Sequence, residues 1–287
     1  MNWKNRKVLV TGSEGLIGRE LVIQLKELGA KILHFDVKVL ESNNVVDIRM
    51  ANRRFEDFKP EYVFNLFGVK GNPKMTKERP VDFMYPMLVG DANIIMVAQM
   101  NGVKRFLYTS SIAVENPESD KYPAWAKMTA ETLIEAMRIQ YPKGTEYCIV
   151  RPANVYGSED LSRENLMVVS SLIKQSLTGK ILVDKKGLEQ TRDLIHAKDV
   201  AKGMIKAMEE MPKHPVNLCS GKESKIKDIL TEICKNIEVD VVYKNLNLVL
   251  GPDKKVMKNP YIKPQISLEE GIKEIIQYEQ TKKRKNK

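Results

Sequence analysis

The run VLVTGSEGLIGRE, residues 8–20, joins a short β-rich segment to the start of a helix through Gly12, Gly15 and Gly18, in G-x-x-G-x-x-G spacing. Glycine lets a backbone turn tightly and approach a bulky anion, and the first turn of a helix presents unpaired N–H groups with partial positive charge. A loop built this way suits a pyrophosphate. Glycines are common in turns, so the triplet gains its weight from its context. KVLV (7–10) precedes it as a strand, and in GLIGRELVIQLKELG the residues Leu16, Ile17, Leu21, Leu25 and Leu28 fall at helical spacing, with Gly29 as the stop. KILHFD (31–36) is then a second strand and completes a β–α–β unit.

Asp36 closes that second strand, 21 residues after Gly15. A carboxylate at this place can accept hydrogen bonds from both hydroxyls of an adenosine ribose and repels a 2′-phosphate, so the expected cofactor is NAD rather than NADP. The alternation continues, with strands expected at 62–67, 105–110 and 146–151 and helices near 84–101 and 124–140. Such repetition implies a parallel sheet with helices on both faces. Beyond about Arg163 the pattern becomes less regular: helices are expected near 164–178, 197–209, 225–237 and 267–279, and short strands near 181–183, 191–195 and 216–218. The expected fold class is therefore α/β, a Rossmann-like doubly wound parallel sheet with a smaller C-terminal α/β substrate lobe. Residues 1–162 read as the dinucleotide domain, 163–280 mainly as the lobe with some strands interleaved into the first domain, and 281–287 as a basic tail.

The chain of 287 residues has ample material for a core, and 43% apolar with 29% charged residues is ordinary for a globular protein. The formal net charge of +10 falls to +5 over the first 281 residues once the five basic residues of the final KKRKNK are set aside. Charge of that kind reads as a solvated end and selects no nucleic acid partner. Cys148, Cys219 and Cys234 are odd in number and widely spaced, which fits neither a disulfide framework nor a metal pattern and suits reduced thiols in the cytoplasm. No early apolar run exceeds Val8–Val10 and no stretch approaches 18 apolar residues, so neither a signal peptide nor a membrane partner is expected.

Taken in order, TGSEGLIG (11–18), VVDI (45–48), NLFGV (65–69), GVKRFLYTSS (102–111), RPANVYG (151–157), TRDLIHAKDVA (191–201) and ISLEEGIKEII (266–276) resemble the extended short-chain dehydrogenase/reductase family, the NAD-dependent nucleotide-sugar epimerases and dehydratases. The resemblance covers nearly the whole chain. It implies NAD held by Gly12, Ser13, Glu14, Gly15, Leu16, Ile17 and Gly18, by Asp36 at the ribose, and by Asp47 and Ile48 at the adenine. Phe67 and Gly68 follow the third strand, and Lys127, Pro152 and Val155 would lie beside the nicotinamide and its ribose. It also implies that Ser111 holds the sugar hydroxyl, that Asn154 contacts the substrate and that Arg192 clamps its pyrophosphate, a task suited to a planar fork of donors. His196 falls at a strand-to-helix corner and reads as packing or capping. The family pairs two helices across a two-fold axis, which implies a homodimer or homotetramer.

In that family the proton acceptor is a Tyr four residues before the Lys, because residues i and i+4 share a helix face where the ammonium can stabilise a phenolate. Here Pro123 stands at that position and Tyr122 is one place early. On a continuous helix Tyr122 points about 140° away from Lys127, at about 100° per residue. A helix that starts at Pro123 would instead leave Tyr122 outside it and free to turn inward. The sequence is compatible with both arrangements; in the first, water, a ribose hydroxyl relay or Ser111 must carry the proton. Other positions are plainer. Ile112 and Ala113 follow Ser111 where family 4,6-dehydratases have Asp-Glu, and Ile112 and Met167 occupy the Cys and His places of family 3,5-epimerases. The remaining groups suit one hydride transfer at a sugar carbon, or C4 epimerisation, which needs no further acid or base. KGNPKMTKERPVDFMYP, SSIAV, PAWAK and RENLMVVSSLI resemble a branch near GDP-sugar enzymes, including GDP-heptose 4-dehydrogenases of bacterial capsule pathways. A GDP-linked substrate oxidised at C4 is the expectation; a C4 epimerase, a 4-keto reductase and a non-catalytic NAD-binding regulator are the alternatives.

Overall fold

The structure, a computed structural model, describes residues 1–41, 43–69, 71, 73–158, 161, 166–244 and 256–285. Its elements run β1 (Lys7–Thr11), α1 (Leu16–Glu27), β2 (Lys31–Phe35), α2 (Ile48–Phe58), β3 (Tyr62–Asn65), α3 (Pro73–Glu78), α4 (Pro80–Met100), β4 (Arg105–Thr109), α5 (Lys121–Gln140), β5 (Glu146–Pro152) and β6 (Asn154–Tyr156). They continue with α6 (Val168–Ser176), β7 (Lys180–Asp184), β8 (Thr191–Arg192), β9 (Leu194–His196), α7 (Ala197–Glu210), β10 (Val216–Leu218), β11 (Ser224–Lys225), α8 (Ile226–Asn236), β12 (Asp240–Lys244) and α9 (Leu268–Lys285).

Six strands form one parallel sheet in the order β10-β5-β4-β3-β1-β2. Side chains alternate across a strand, so β1 sends Val8 and Val10 into one core and Leu9 into the other. The first core lies against α1 and α7 and contains Leu21, Leu25, Val200 and Met204; the second lies under α2, α4 and α5 and contains Phe55, Ile94, Ile95 and Ile134. Both faces of the sheet are thereby covered, as a near-continuous apolar strand requires. A third cluster joins α6, α8 and α9 to β7 through Ile173, Ile181, Ile229, Ile233, Ile272 and Ile275 and forms the smaller lobe.

The interleaving read for residues 163–280 falls to the strand at 216–218, which belongs to the large sheet beside β5, while α7 packs on α1 and the chain then ends in the lobe. Three residues carry too little periodicity to show which strand returns. Other details depart from the pattern read along the chain. Helix α2 lies outside that pattern, because only Ala51 and Phe55 of its eleven residues are buried and they make too narrow an apolar stripe. Helix α4 is long and apolar enough to cross a membrane by length and composition, contrary to expectation; it nonetheless carries Asp82 and Asp91 and buries Phe83, Ile94, Ile95 and Ala98 within the protein. Helix α9 extends to Lys285, into the basic tail. Residues 164–165 of the helix expected at 164–178 lie outside the described residues.

Candidate active site

The ends of β1, β2, β3, β4 and β5 meet along one edge of the sheet, where Thr11 pairs with Phe35 on one side and Asn65 on the other, and Asn65 with Tyr108. Ligands bind in the crevice outside such carboxyl ends. The glycine loop crosses it. Gly12 has φ +62°, and a Cβ there would lie 2.7 Å from the Leu66 carbonyl oxygen; a Cβ on Gly18 would lie 2.2 Å from the Gly12 carbonyl oxygen. These two glycines let the loop fold on itself and on β3. Gly15 is the N-cap of α1 and offers no side-chain acceptor to the first-turn N–H groups that begin at Leu16 and Ile17. Ser13 Oγ is buried with no hydrogen-bond partner among the described residues. Free helix-start amides and an orphaned hydroxyl in a loop without side-chain bulk fit a dinucleotide diphosphate.

Asp36 is fixed at the neighbouring corner. Its Oδ2 accepts from the Glu14 N–H and its Oδ1 from the Lys38 N–H, both at 3.0 Å. The Glu14 carboxylate pairs with Arg19 at 3.3 Å and with His34 at 3.7 Å. Asp47 is occupied as the N-cap of α2: Oδ1 accepts from Arg49 N–H at 2.9 Å and Met50 N–H at 3.4 Å, which holds its carboxyl below the ordinary carboxylate range. Ile48 beside it is exposed.

Lys127 lies in the floor of the crevice and is nearly buried. Its Nζ donates to the Phe67 carbonyl at 3.1 Å and to Asp91 Oδ2 at 3.2 Å, and it stands 4.8 Å from the centroid of the Tyr108 ring. Asp91 is fully buried on α4 and takes two further donors, Tyr108 Oη at 2.7 Å and Asn65 Nδ2 at 2.9 Å. Thr11 Oγ1 donates to Asn65 at 2.6 Å and accepts from the N–H groups of Leu66 at 2.9 Å and Phe67 at 3.1 Å. A polar chain therefore runs from β1 through β3 to α4, β4 and α5. Burial and the Asp91 carboxylate push the Tyr108 phenol well above its ordinary pKa, so it serves as a neutral donor. Gly90 permits this closeness, since a Cβ there would meet the Phe67 ring at 2.6 Å. Sequence reading missed Asp91, although an acid inside the apolar run MLVGDANIIMVA is a visible anomaly.

Tyr122 is helical. Helix α5 begins at Lys121, directly after Asp120 at φ −144°, which makes Tyr122 its second residue and Pro123 its third. The inward-turned, pre-helical tyrosine is therefore not formed. The first residues of a helix lack i−4 partners, so a proline there breaks no hydrogen bond, and the bias of a pre-proline residue against helix is overridden. Pro123 occupies the place four residues before Lys127, and Tyr122 lies about 140° around the axis. Ser111 is extended and its Oγ accepts from Ala113 N–H at 3.1 Å, capping the 3₁₀ turn Ile112–Glu115. A hydroxyl used as an acceptor keeps its proton available to donate. Ile112 and Ala113 are buried.

Arg151, one residue before Pro152, grips both sides of this region. Nε and Nη2 donate to Glu131 at 3.0 and 2.6 Å, and Nη1 donates to Glu115. One guanidinium thereby fixes the turn that follows Ser111 and the helix that carries Lys127. On the substrate side Asn154 is buried on β6, its N–H and Nδ2 donating to the Asp193 carbonyl at 3.0 and 3.3 Å. Arg192 precedes Asp193 and its guanidinium donates to Thr191 O at 2.6 Å and Gln190 Oε1 at 3.4 Å. The Asp193 carboxylate turns inward to accept from Ser220 and from the N–H groups of Gly221 and Met257. Val155 packs on the first core, and Gly68 is exposed at the crevice edge. His196 is the N-cap of α7, its Nδ1 accepting from Lys198 N–H at 3.3 Å, and burial depresses its pKa.

A Rossmann-type sheet with this cradle and buried lysine defines a dinucleotide-dependent enzyme. The model of the NAD dependent epimerase/dehydratase family matches residues 8–219, and the chain is an enzyme of that family. UDP-glucuronic acid decarboxylase 6 of Arabidopsis thaliana is 26% identical over 306 residues, covering 93% of this chain and 87% of that protein. GDP-L-fucose synthase 1 of the same plant is 27% identical over 269 residues, 83% and 79% of the two chains. The crystal structure of UDP-glucose 4-epimerase with UDP-glucose from Thermotoga maritima shares a TM-score of 0.84 at 25% identity, over 96% of this chain and 99% of that one.

Proposed function

We propose that this enzyme transfers a hydride at C4 of a nucleotide-activated sugar, a GDP-linked hexose or heptose, in the cytoplasmic synthesis of bacterial surface-polysaccharide precursors. The relatives above are named for UDP- or GDP-linked sugars, which supports the substrate class. One observation carries the reaction type: the cradle, Lys127 and Ser111 are in place, while the two positions after Ser111 hold the buried apolar residues Ile112 and Ala113. Elimination and epimerisation at C3 or C5 need an acid and a base that these side chains cannot supply. NAD supplies hydride exchange when bound. Gly12–Gly18 hold its diphosphate and Asp36 its adenosine ribose, which favours NAD over NADP. Lys127 holds the nicotinamide ribose, and Ser111 donates to the reacting oxygen. Asn154 and Arg192 hold the substrate, with the proton carried by water or a ribose hydroxyl in the absence of a phenol at 123.

The exposed residues Val81, Tyr85, Met96 and Met100 recur along α4 at near-helical spacing, and Ile139 is exposed on the adjoining α5. This apolar surface supports a homodimer, or a tetramer of dimers, which light scattering tests. For the activity, the protein is incubated with GDP-, UDP- and TDP-sugars while the absorbance of reduced nicotinamide and the identity of the sugar are followed. Reduction of NAD with a GDP-sugar is the expected result. A C4 epimer without net NADH identifies the epimerase alternative, consumption of NADH by a 4-keto sugar the reductase, and NAD binding without turnover of any sugar a regulator.

A further inference from the structure

The ammonium of Lys127 has three N–H groups, and the described residues take two of them, the Phe67 carbonyl and Asp91. A carboxylate with no exposure in the middle of an apolar helix is unfavourable unless several donors meet it. Asp91 has three, from β3, β4 and α5. Asn65 is neutral, and Tyr108 is held protonated. Glu131, one turn beyond Lys127, is engaged by Arg151 in a separate pair. The charge of Lys127 is therefore met locally by Asp91, and one N–H is left for a ligand.

We propose that Asp91 is a positioning residue that aims Lys127 through the Asn65–Asp91–Tyr108 network and, by cancelling the lysine's charge, biases the bound cofactor toward its oxidised form. The nicotinamide ring carries a positive charge when oxidised and none when reduced. A bare ammonium beside it disfavours the oxidised ring, and a carboxylate paired with that ammonium removes the penalty. NADH in this site is thereby a stronger hydride donor than it would be beside an unpaired lysine. The bias acts on the equilibrium between bound states, toward oxidised cofactor with the C4 alcohol; the net direction with exchanging cofactor is set by the reactants and is compatible with C4 oxidation. The inference rests on the reading of Lys127 as the nicotinamide ribose contact.

Calorimetric titration of the whole protein with NAD⁺ and with NADH, in wild type and Asp91→Asn, tests it without turnover. Removal of the carboxylate is expected to weaken NAD⁺ relative to NADH by about tenfold in the ratio of their dissociation constants. A ratio unchanged within about twofold overturns the proposal, even if both affinities fall together, because an equal loss is what a merely structural role produces. Asp91→Ser makes the same measurement if the asparagine variant does not fold. Tyr108→Phe removes a donor to Asp91 without removing charge and is expected to leave the ratio unchanged; a tenfold shift there overturns the charge mechanism. Wild-type protein that binds neither nucleotide overturns the reading of the cofactor site itself, and this inference with it.

Discussion

Replacing Arg151 with methionine keeps much of the side-chain volume and removes every donor of the clamp between Glu115 and Glu131. Glu131 is 10% exposed at its side chain and loses both partners at 3.0 and 2.6 Å; Glu115 is 48% exposed. Breaking a buried pair by removing one member costs about 3–5 kcal/mol, because a carboxylate is left without counter-charge. Arg151 itself is 21% exposed, so water reaches part of the gap and the lower end, about 3 kcal/mol, applies. At about 2–4 °C per kcal/mol for a chain of this size class, Tm falls by about 6–12 °C. Glu115→Gln disturbs only the exposed arm and costs about 0–1 kcal/mol. Function suffers beyond stability, because the same guanidinium sets the turn after Ser111 against the helix of Lys127; kcat/KM is expected to fall about ten- to hundredfold at temperatures where the variant is folded. Circular dichroism melts and initial rates measure both. Equal Tm losses for Glu115→Gln and Arg151→Met, or a loss below about 2 °C for Arg151→Met, refute a buried clamp.

Asp36→Ser removes the carboxylate that Glu14 and Lys38 orient, and is expected to lower the ratio of the NADP to the NAD dissociation constant at least about tenfold, read by nicotinamide fluorescence. Tyr122→Phe, on the wrong side of α5 from Lys127, is expected to leave kcat within about twofold; a hundredfold loss would restore the phenol as the base. Burial holds His196 below its ordinary pKa near 6.5, so just under that pH the unfolded chain binds a proton that the folded chain does not. The stability this histidine contributes is complete above about pH 6.5 and is lost as pH falls toward its depressed folded value. The Tm of wild type is expected to drop more than that of His196→Asn between about pH 7.5 and about pH 5.5. The comparison between variants separates this from Glu20, whose burial raises its pKa and acts with the opposite sign.

What can be read along the chain depends on the range of the physics involved. The glycine loop, α1 and β2 are local: a turn, a 3.6-residue period and a strand-end carboxylate occupy thirty consecutive residues, and their spacing suffices. The start of α5 is local too, yet Pro123 is compatible with a helix beginning at 121 or at 123, and only the backbone of Asp120 decides between them. Asp47 illustrates a competing use of one residue. Its position before IRMANRRFEDF is an N-cap signal, while the resemblance implies an adenine contact for the same residue, and the structure uses its side chain as the cap. The pairs Lys127–Asp91 and Arg151–Glu131 span 36 and 20 residues. Nothing in the spacing of those residues announces them, because the sheet order and the crossing of α4 and α5 bring them together.

The proline at 123 and the acid at 91 bear on the same electrostatic question. An ammonium lowers the pKa of a neighbouring phenol only to the extent that its charge is not already met by something else. In this site the charge of Lys127 is met by a carboxylate with no exposure to water, so water screens their attraction little, and that carboxylate is itself locked by Asn65 and Tyr108. A tyrosine four residues before Lys127 would thus find a lysine with little field to spare, and its loss removes less from this site than it would from one with a bare ammonium. Among the described residues Lys127 retains one directed N–H, and a single directed donor is suited to holding a ribose hydroxyl in place. On the proposed function, the site would then work by placement of cofactor and sugar, with the proton left to a hydroxyl or water that placement brings within reach.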